Sequence, residues 1–194
     1  MPLTTYAPGD VLTASSLNAN LVFAAASPTS GLVCVKAETT VTATNTVTAD
    51  SVFTSSYTNY LVLVNYLITG AGQLKVKLRV GGVNASTNYN YQQIQGSATT
   101  VSTATSASQT SFVVADYGAG LYASTVIELF NPQLAQATTI LVRNTAPNGA
   151  YTAPLNTSWM GNHSTATAYD GIEIATSGTT FTGNYAIYGY SKTV

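Results

Sequence analysis

Very few side chains in this sequence are suited to acid–base or nucleophilic chemistry. The whole stock is one histidine (His163), one cysteine (Cys34), four aspartates and three glutamates. His163, Asp170 and one of the 18 serines would supply the residue types of a hydrolytic triad, but no Gly-x-Ser-x-Gly turn presents a serine. The seven acids are widely spaced along the chain, and nothing pairs two of them for glycoside hydrolysis. We therefore predict that the protein is not an enzyme; a polysaccharide depolymerase is the weakest of the alternatives.

The sequence also lacks the patterns that hold cofactors and metals. There is no phosphate-binding loop and no dinucleotide fingerprint. A single cysteine excludes an intramolecular disulfide framework and a multi-cysteine zinc site. Asp116, Glu128, Asp170 and Glu173 do not have the spacing of a calcium loop. We predict no cofactor and no metal in the chain itself, and a structural ion on a subunit axis stays open.

Charge and hydropathy exclude further classes. Six basic and seven acidic residues give a net charge of −1, without the basic surplus of a nucleic-acid-binding protein. No apolar run reaches the length of a membrane-spanning helix, and no basic region followed by an apolar core indicates a secretory signal. A soluble monomer usually carries more surface charge than 7% charged residues supply. We therefore expect a subunit of an assembly.

Composition predicts a β protein of two unequal parts. The chain has 32 threonines and 13 tyrosines, and few strong helix formers. Residues 1–30 contain turn residues, then a short helix that Thr13 could cap and whose apolar face holds Leu17 and Leu21. This helix is too short to be stable alone, so we expect it to pack on the body, a sister chain or another protein. Residues 31–194 form the second part.

The second part is predicted to hold about nine strands separated by turns. Tyr60–Ile68 is almost wholly apolar, which is typical of a central strand covered on both faces. In Gln73–Val80, leucine and valine alternate with Lys75, Lys77 and Arg79, so those basic side chains are predicted to line a solvated face rather than to bind an anion, and a subunit interface stays open. Gly96–Gln109 and Ala146–Ala168 show no hydrophobic period and are predicted as long loops. The pattern favours an antiparallel β-sandwich of jelly-roll type with a short N-terminal helical anchor.

Aromatic side chains are the candidate contact residues. Tyrosine combines a large contact area with one hydrogen-bonding group, and it also stacks on sugar rings. Packing at the ends of a sandwich or between subunits would explain the same tyrosines equally well. The candidates for contact with a receptor or partner are Tyr89, Tyr91, Tyr117, Tyr151 and Trp159.

Both ends of the chain resemble structural proteins of tailed bacteriophages. The first segment is similar to a G-D-x-L-T-A-x-x-L-N element that opens many tail fibres. A recurrent "F-x-x-x-Y-x-x-Y" entry to a central strand and a closing strand resemble parts of phage fibre and decoration domains. The matching segments are Gly9-Asp10-Val11-Leu12-Thr13-Ala14-Ser15-Ser16-Leu17-Asn18, then Val52 to Tyr60, Leu129 to Pro132 and Asn184 to Tyr190.

The resemblance implies a virion protein, assembled in the host cytoplasm and forming a homotrimer. It implies that the N-terminal element docks on other virion proteins of the tail, baseplate or capsid. The docking residues would be Gly9, Asp10, Leu12, Thr13, Leu17, Asn18 and Leu21. The first expectation is a short tail fibre or adhesin that presents the sandwich to a host surface glycan or protein. The alternative is a capsid decoration, cement or head-fibre protein.

Overall fold

Alternating β-branched, aromatic and small residues form strands throughout the described part of the chain. The computed structural model describes residues 13, 31–117, 120–148 and 153–192, and in these ranges it has thirteen β-strands and no helix. The strands are β1 Leu32–Thr44, β2 Thr46–Ala49, β3 Asn59–Ile68, β4 Gly72–Val80, β5 Val83–Asn84, β6 Tyr89–Ser97, β7 Thr100–Gln109, β8 Phe112–Tyr117, β9 Tyr122–Phe130, β10 Thr138–Asn148, β11 Ala153–His163, β12 Gly171–Thr176 and β13 Phe181–Tyr190. The predicted β class is confirmed; the predicted N-terminal helix lies outside the described residues.

The strands form two antiparallel sheets. The large sheet has the order β1-β13-β3-β9-β10-β11-β6-β7. The small sheet has the order β2-β12-β4-β5, and β8 pairs with the other half of β4. Most neighbours in this order are distant in sequence, so the pairing depends on long-range contacts rather than on hairpins alone.

The core lies between the two sheets. Tyr60, Val62 and Val64 of β3 are at most 1% exposed, as period-two alternation requires of a strand with one buried face. They belong to the same cluster as Leu74 of β4 and Ile172 of β12, which come from the small sheet. The sandwich architecture therefore follows from one shared apolar layer.

The opposite face of β3 is only partly covered. Leu61, Leu63 and Leu67 are half-buried and Asn65 is exposed. The prediction that this strand is covered on both faces is thus confirmed for the face that packs on the small sheet and is wrong for the other face of this chain. An apolar outward face is unusual for an antiparallel sheet, whose solvent side is normally polar.

The two segments predicted as loops are largely strands. Gly96–Gln109 contains all of β7, which pairs with β6, and Ala146–Ala168 contains β11. The hydrophobic period is missing from β7 because nine of its ten residues are exposed on both faces of the sheet. Threonine favours extended backbone even without burial, and a ladder to β6 fixes it there.

A buried polar cluster ties β10 to the sandwich. The amide nitrogen of Asn144 donates to the Tyr66 hydroxyl at 2.9 Å and to the Thr125 hydroxyl at 2.8 Å. These residues lie on β10, β3 and β9, so the hydrogen bonds span three neighbouring strands. Burial raises the pKa of Tyr66 to about 12, so its hydroxyl remains protonated at neutral pH. The cluster fixes how the outer strands of the large sheet join its centre.

Candidate recognition surface

Four strands widen the large sheet beyond β9, and they carry the open surface of the protein. We call β10, β11, β6 and β7 the extension. Their pairing is long and regular: β10 and β11 match over eleven residue pairs and β11 and β6 over nine. Because function lives in sites carried by a fold and not in the fold itself, the outward face of the extension is a candidate site on the strength of its grooves.

A shallow groove of about 450 Å³ crosses the tip of the extension. Ile94 of β6 and Val101 of β7 form its apolar side and are 46% and 72% exposed. Arg143, Asn156 and Ser158 supply hydrogen-bonding groups on the other side. Arg143 lies 3.6 Å from Glu128 and stays 67% exposed, so its remaining donors face the groove side of the sheet.

A second groove of about 380 Å³ lies where the β6–β7 ladder is irregular. The register shifts between Tyr89 and Tyr91, as in a β-bulge. The Asn90 amide holds the bulge, because its oxygen accepts from the Ser108 backbone N–H at 3.0 Å and its nitrogen donates to Asn162 at 3.0 Å. Amides, hydroxyls and the thioether of Met160 line the groove without a charged group.

The aromatic side chains predicted as contacts fall in different environments. Tyr91 is half-buried at the second groove, and its ring packs edge-on at 5.5 Å against Trp159, which is buried beneath. Tyr89 is 0% exposed; its hydroxyl accepts from the Leu78 N–H and donates to the Ala85 carbonyl. Tyr91 alternates with Asn90 and Gln92 along β6, so its ring lies with Trp159 on the core side of the sheet, and none of these three rings lies among the side chains of the groove.

Most of the remaining predicted residues lie outside the described part of the chain. Tyr117 is the last residue of β8, and Tyr151 lies outside the described residues. Thr13 is exposed. The other predicted docking residues, Gly9, Asp10, Leu12, Leu17, Asn18 and Leu21, lie outside the described residues, so their role stays a prediction.

Sequence reasoning missed Ile94, Val101, Met160 and Arg143. Each is a lone apolar or basic residue in a stretch of polar or mixed residues, so no period marked its orientation. The available signal was a large apolar side chain in an otherwise polar strand. Such a residue must either turn inward or be exposed for a reason.

The only histidine belongs to an aromatic core cluster. The Nδ1 atom of His163 lies 3.0 Å from the Tyr169 hydroxyl, and its ring packs 4.4 Å from that of Tyr89. Asp170, the other member of the triad considered above, accepts instead from the Gly81 backbone N–H at 3.1 Å. Burial lowers the pKa of His163, partly opposed by the backbone groups of Thr87 and Thr165.

This burial predicts a loss of stability in acid. Above pH ~6.5, the ordinary pKa of histidine, His163 is neutral in both the folded and the unfolded chain. Below that pH the unfolded chain takes up a proton and the folded chain does not, so unfolding becomes more favourable by up to about 1.4 kcal/mol per pH unit until the lowered folded pKa is reached. We expect the urea midpoint to fall between pH 6.5 and 5 by this route. His163→Gln should flatten that slope, and an equal slope in both proteins would contradict the assignment.

The small sheet presents a contrasting outward face. Lys77 pairs with Glu173 at 3.4 Å, and Arg79, only 8% exposed, pairs with Asp50 at 2.7 Å. Asp50, the Asn84 amide and the Gly82 carbonyl all accept from Arg79. Lys77 and Arg79 of the basic stripe are thus neutralised within the chain, and the predicted solvated face is wrong for Arg79, which is buried because its donors are bonded to groups of the same sheet and its turn.

Comparison with protein-family models, with curated proteins and with solved structures finds no match to this chain. Among the described residues, no three His, Cys, Asp or Glu side chains lie close enough together to hold a metal ion. In the same ranges, no helix has the length and apolar character needed to cross a membrane.

Proposed function

We propose that the chain is a structural protein of a phage virion, a short trimeric tail fibre or adhesin that docks by its N-terminal element. In this proposal it acts without catalysis or cofactor, and its sandwich faces the host surface. The resemblance of residues 9–18 to fibre docking elements supports the virion assignment. The observation that carries the adhesin role is the pair of grooves on the extension, the second of which is lined by polar groups without a charge.

We infer further that the sandwich is a jelly roll with insertions. Support comes from nested pairing, in which the first strands pair with the last: β1 with β13, β2 with β12, β3 with β9 and β4 with β8. A jelly roll is this arrangement of eight strands in two sheets. The other five strands, β5 to β7 and β10 to β11, are then insertions, and four of them build the extension.

The chemistry of the extension favours an uncharged ligand with many hydroxyl groups. Amide and hydroxyl groups of Asn90, Gln92, Thr105 and Asn162 surround the second groove, beside the thioether of Met160. Such a set recognises a neutral glycan by hydrogen bonds. Host surface glycan is therefore the ligand class that we propose for the extension.

The first test is the copy number of this chain per particle. Quantitative mass spectrometry of purified virions, referenced to the major capsid protein, should find a handful of copies if the chain is a tail or vertex fibre. A ratio near that of the capsid protein would support the alternative of a decoration or cement protein. Absence from purified particles would overturn both.

The second test addresses adhesion. Purified protein should bind host cells and compete with phage adsorption, and Gln92→Lys should weaken both because it places a charge among the uncharged groups of the second groove. Val83→Lys is the matched control, since Val83 is 68% exposed at the start of β5 in the small sheet. Equal competition by the two variants would argue against recognition through the extension.

One observation favours the decoration alternative. The outward residues of β3, β9 and β13 are mainly apolar, as on a subunit that packs broadly on a neighbour. A head protein that clamps capsomers needs such a surface, whereas a receptor-binding tip does not. Copy number separates the two roles, because a surface of this kind can also join copies of one chain.

A further inference from the structure

The outward face of the central strands of the large sheet is built to be covered. Five of the eight exposed large apolar side chains in the described part of the chain lie on the outward side of the large sheet, and one of them, Tyr122 at 68% exposure, lies on its central strands. The five are Leu32, Ile94, Val101, Tyr122 and Met160. Solvated antiparallel sheets normally present polar residues on their outer side, so this concentration indicates an interaction surface.

The centre of this surface spans β13, β3 and β9. We call it the leucine–tyrosine face and define it by Leu61, Leu63, Tyr122, Val126 and Tyr188. Cross-strand register makes it continuous, since Leu61 lies opposite Tyr188 and Leu63 lies opposite Val126. These three strands contain one charged residue, Glu128.

Polar groups on the face already bond to one another. Ser124 donates to Asn65 at 2.8 Å, and Asn65 donates to Asn184 at 3.1 Å, which forms a ladder across β9, β3 and β13. Glu128 accepts from the Tyr190 hydroxyl at 2.9 Å and pairs with Arg143. Covering a polar group costs little when its hydrogen bonds are retained, so this face can become dry without orphaned atoms.

We propose that the leucine–tyrosine face is the contact between copies of this chain. The proposal rests on the virion role above and names the surface through which the proposed trimer forms. The apolar sequence of β3 indicates that both faces of this strand are covered. The small sheet covers one face, and in this proposal another copy of the chain covers the other. A neutral face with no charge pattern complements its own copy better than a charged partner.

The face and its two neighbouring strands offer nearly the area of a standard interface. The three strands of the leucine–tyrosine face, at a spacing of ~4.8 Å and with about nine residues of ~3.4 Å each, present about 440 Å² of flat sheet, and β1 and β10 on either side raise this to about 700 Å². A standard interface takes about 800 Å² from each partner. Seven of the chain's 13 charged residues are in or beside the small sheet, namely Asp50, Lys75, Lys77, Arg79, Asp116, Asp170 and Glu173.

The test is the mass of the full-length protein in solution. Sedimentation of the unmodified chain should show a species of three times 20.1 kDa. Tyr122→Lys should lower the association constant by about tenfold or more, since a buried aromatic anchor is replaced by a charge. Val83→Lys changes an equally exposed residue on the small-sheet side and should leave the mass unchanged. Leu63→Lys is a second variant at the centre of the face.

Photo-cross-linking identifies what covers the face. A benzophenone side chain at position 122, in a mixture of isotopically light and heavy full-length chains, should give light–heavy products. Products joining position 122 only to residues 1–30 of the same chain would overturn the proposal in favour of the chain's own N-terminal segment. A monomer at all concentrations, or variants that associate like the unmodified chain, would overturn it too. A monomeric chain that is still found in virions would leave the proposed virion role standing.

Discussion

Gly161→Ala should destabilise the protein by about 3 kcal/mol, more than a single methyl group usually does. A Cβ atom at Gly161 would collide with the backbone carbonyl oxygen of Asn90 and lie 2.9 Å from both Cα and Cβ of Tyr91. Neither backbone atom can move without breaking the β11–β6 ladder, in which Gly161 lies opposite Tyr91. We therefore expect the extension to open while the core between the sheets persists.

Hydrogen exchange combined with urea unfolding measures this effect. Amides of β6, β7 and β11 should lose protection in the variant, and those of β3 should keep it, because outer strands can open separately from a central strand. Gly96→Ala is the matched control: its Cβ would meet only the Asn156 carbonyl oxygen, at an ordinary 3.9 Å. That variant should be unchanged or slightly more stable, since glycine in a strand costs about 0.5–1 kcal/mol relative to alanine. Equal midpoints for Gly161→Ala and the unmodified protein would show that β11 and β6 pair differently.

Ile127→Ala should lower the free energy of unfolding by about 2–5 kcal/mol, the usual cost of truncating a large aliphatic side chain in a core to alanine. Ile127 is 0% exposed at the middle of β9, between Val62 of β3 and Val142 of β10 in register. Its side chain lies in the apolar layer shared by the two sheets, so truncation leaves a cavity that surrounding strands cannot easily fill.

The same substitution at an exposed site provides the comparison. Ile94→Ala removes the same atoms from a residue that is 46% exposed on the extension, so we expect a cost below about 1 kcal/mol. Urea unfolding of both variants and the unmodified protein, monitored by tyrosine and tryptophan fluorescence, gives the two differences directly. A cost at Ile94 equal to that at Ile127 would show that the outward face of the extension is buried in solution.

Local pattern explains which strands could be found in advance. In β4 leucine and valine alternate with lysine, and the structure places Leu74 and Leu78 in the core at 0% exposure. In β13 Tyr185 and Ile187 point inward while Tyr188 does not, as the alternation predicts. These strands bury one face, so composition and period report the same orientation.

β7 shows where that reasoning fails. Its serines, threonines and alanines are exposed on both faces, so no burial pattern exists for a sequence to show. It is a strand because β6 offers it a hydrogen-bonding partner, and the partner is set by the fold of the whole sheet. The predicted count of about nine strands is therefore too low, in part because β7 owes its order to pairing and has no burial pattern to recognise.

The candidate site shows the same division more sharply. Tyr89, Tyr91 and Trp159 are candidate contacts by their residue class, yet register places all three on the core side of the sheet and leaves Asn90, Gln92 and Met160 on the groove side. The sequence by itself determined the β class, the orientation of strands with one buried face and the scarcity of reactive groups, since these depend on local composition and period. Only the tertiary structure decided the strand order, the grooves of the extension and the apolar outward face of β3, because each depends on contacts between residues far apart in the chain.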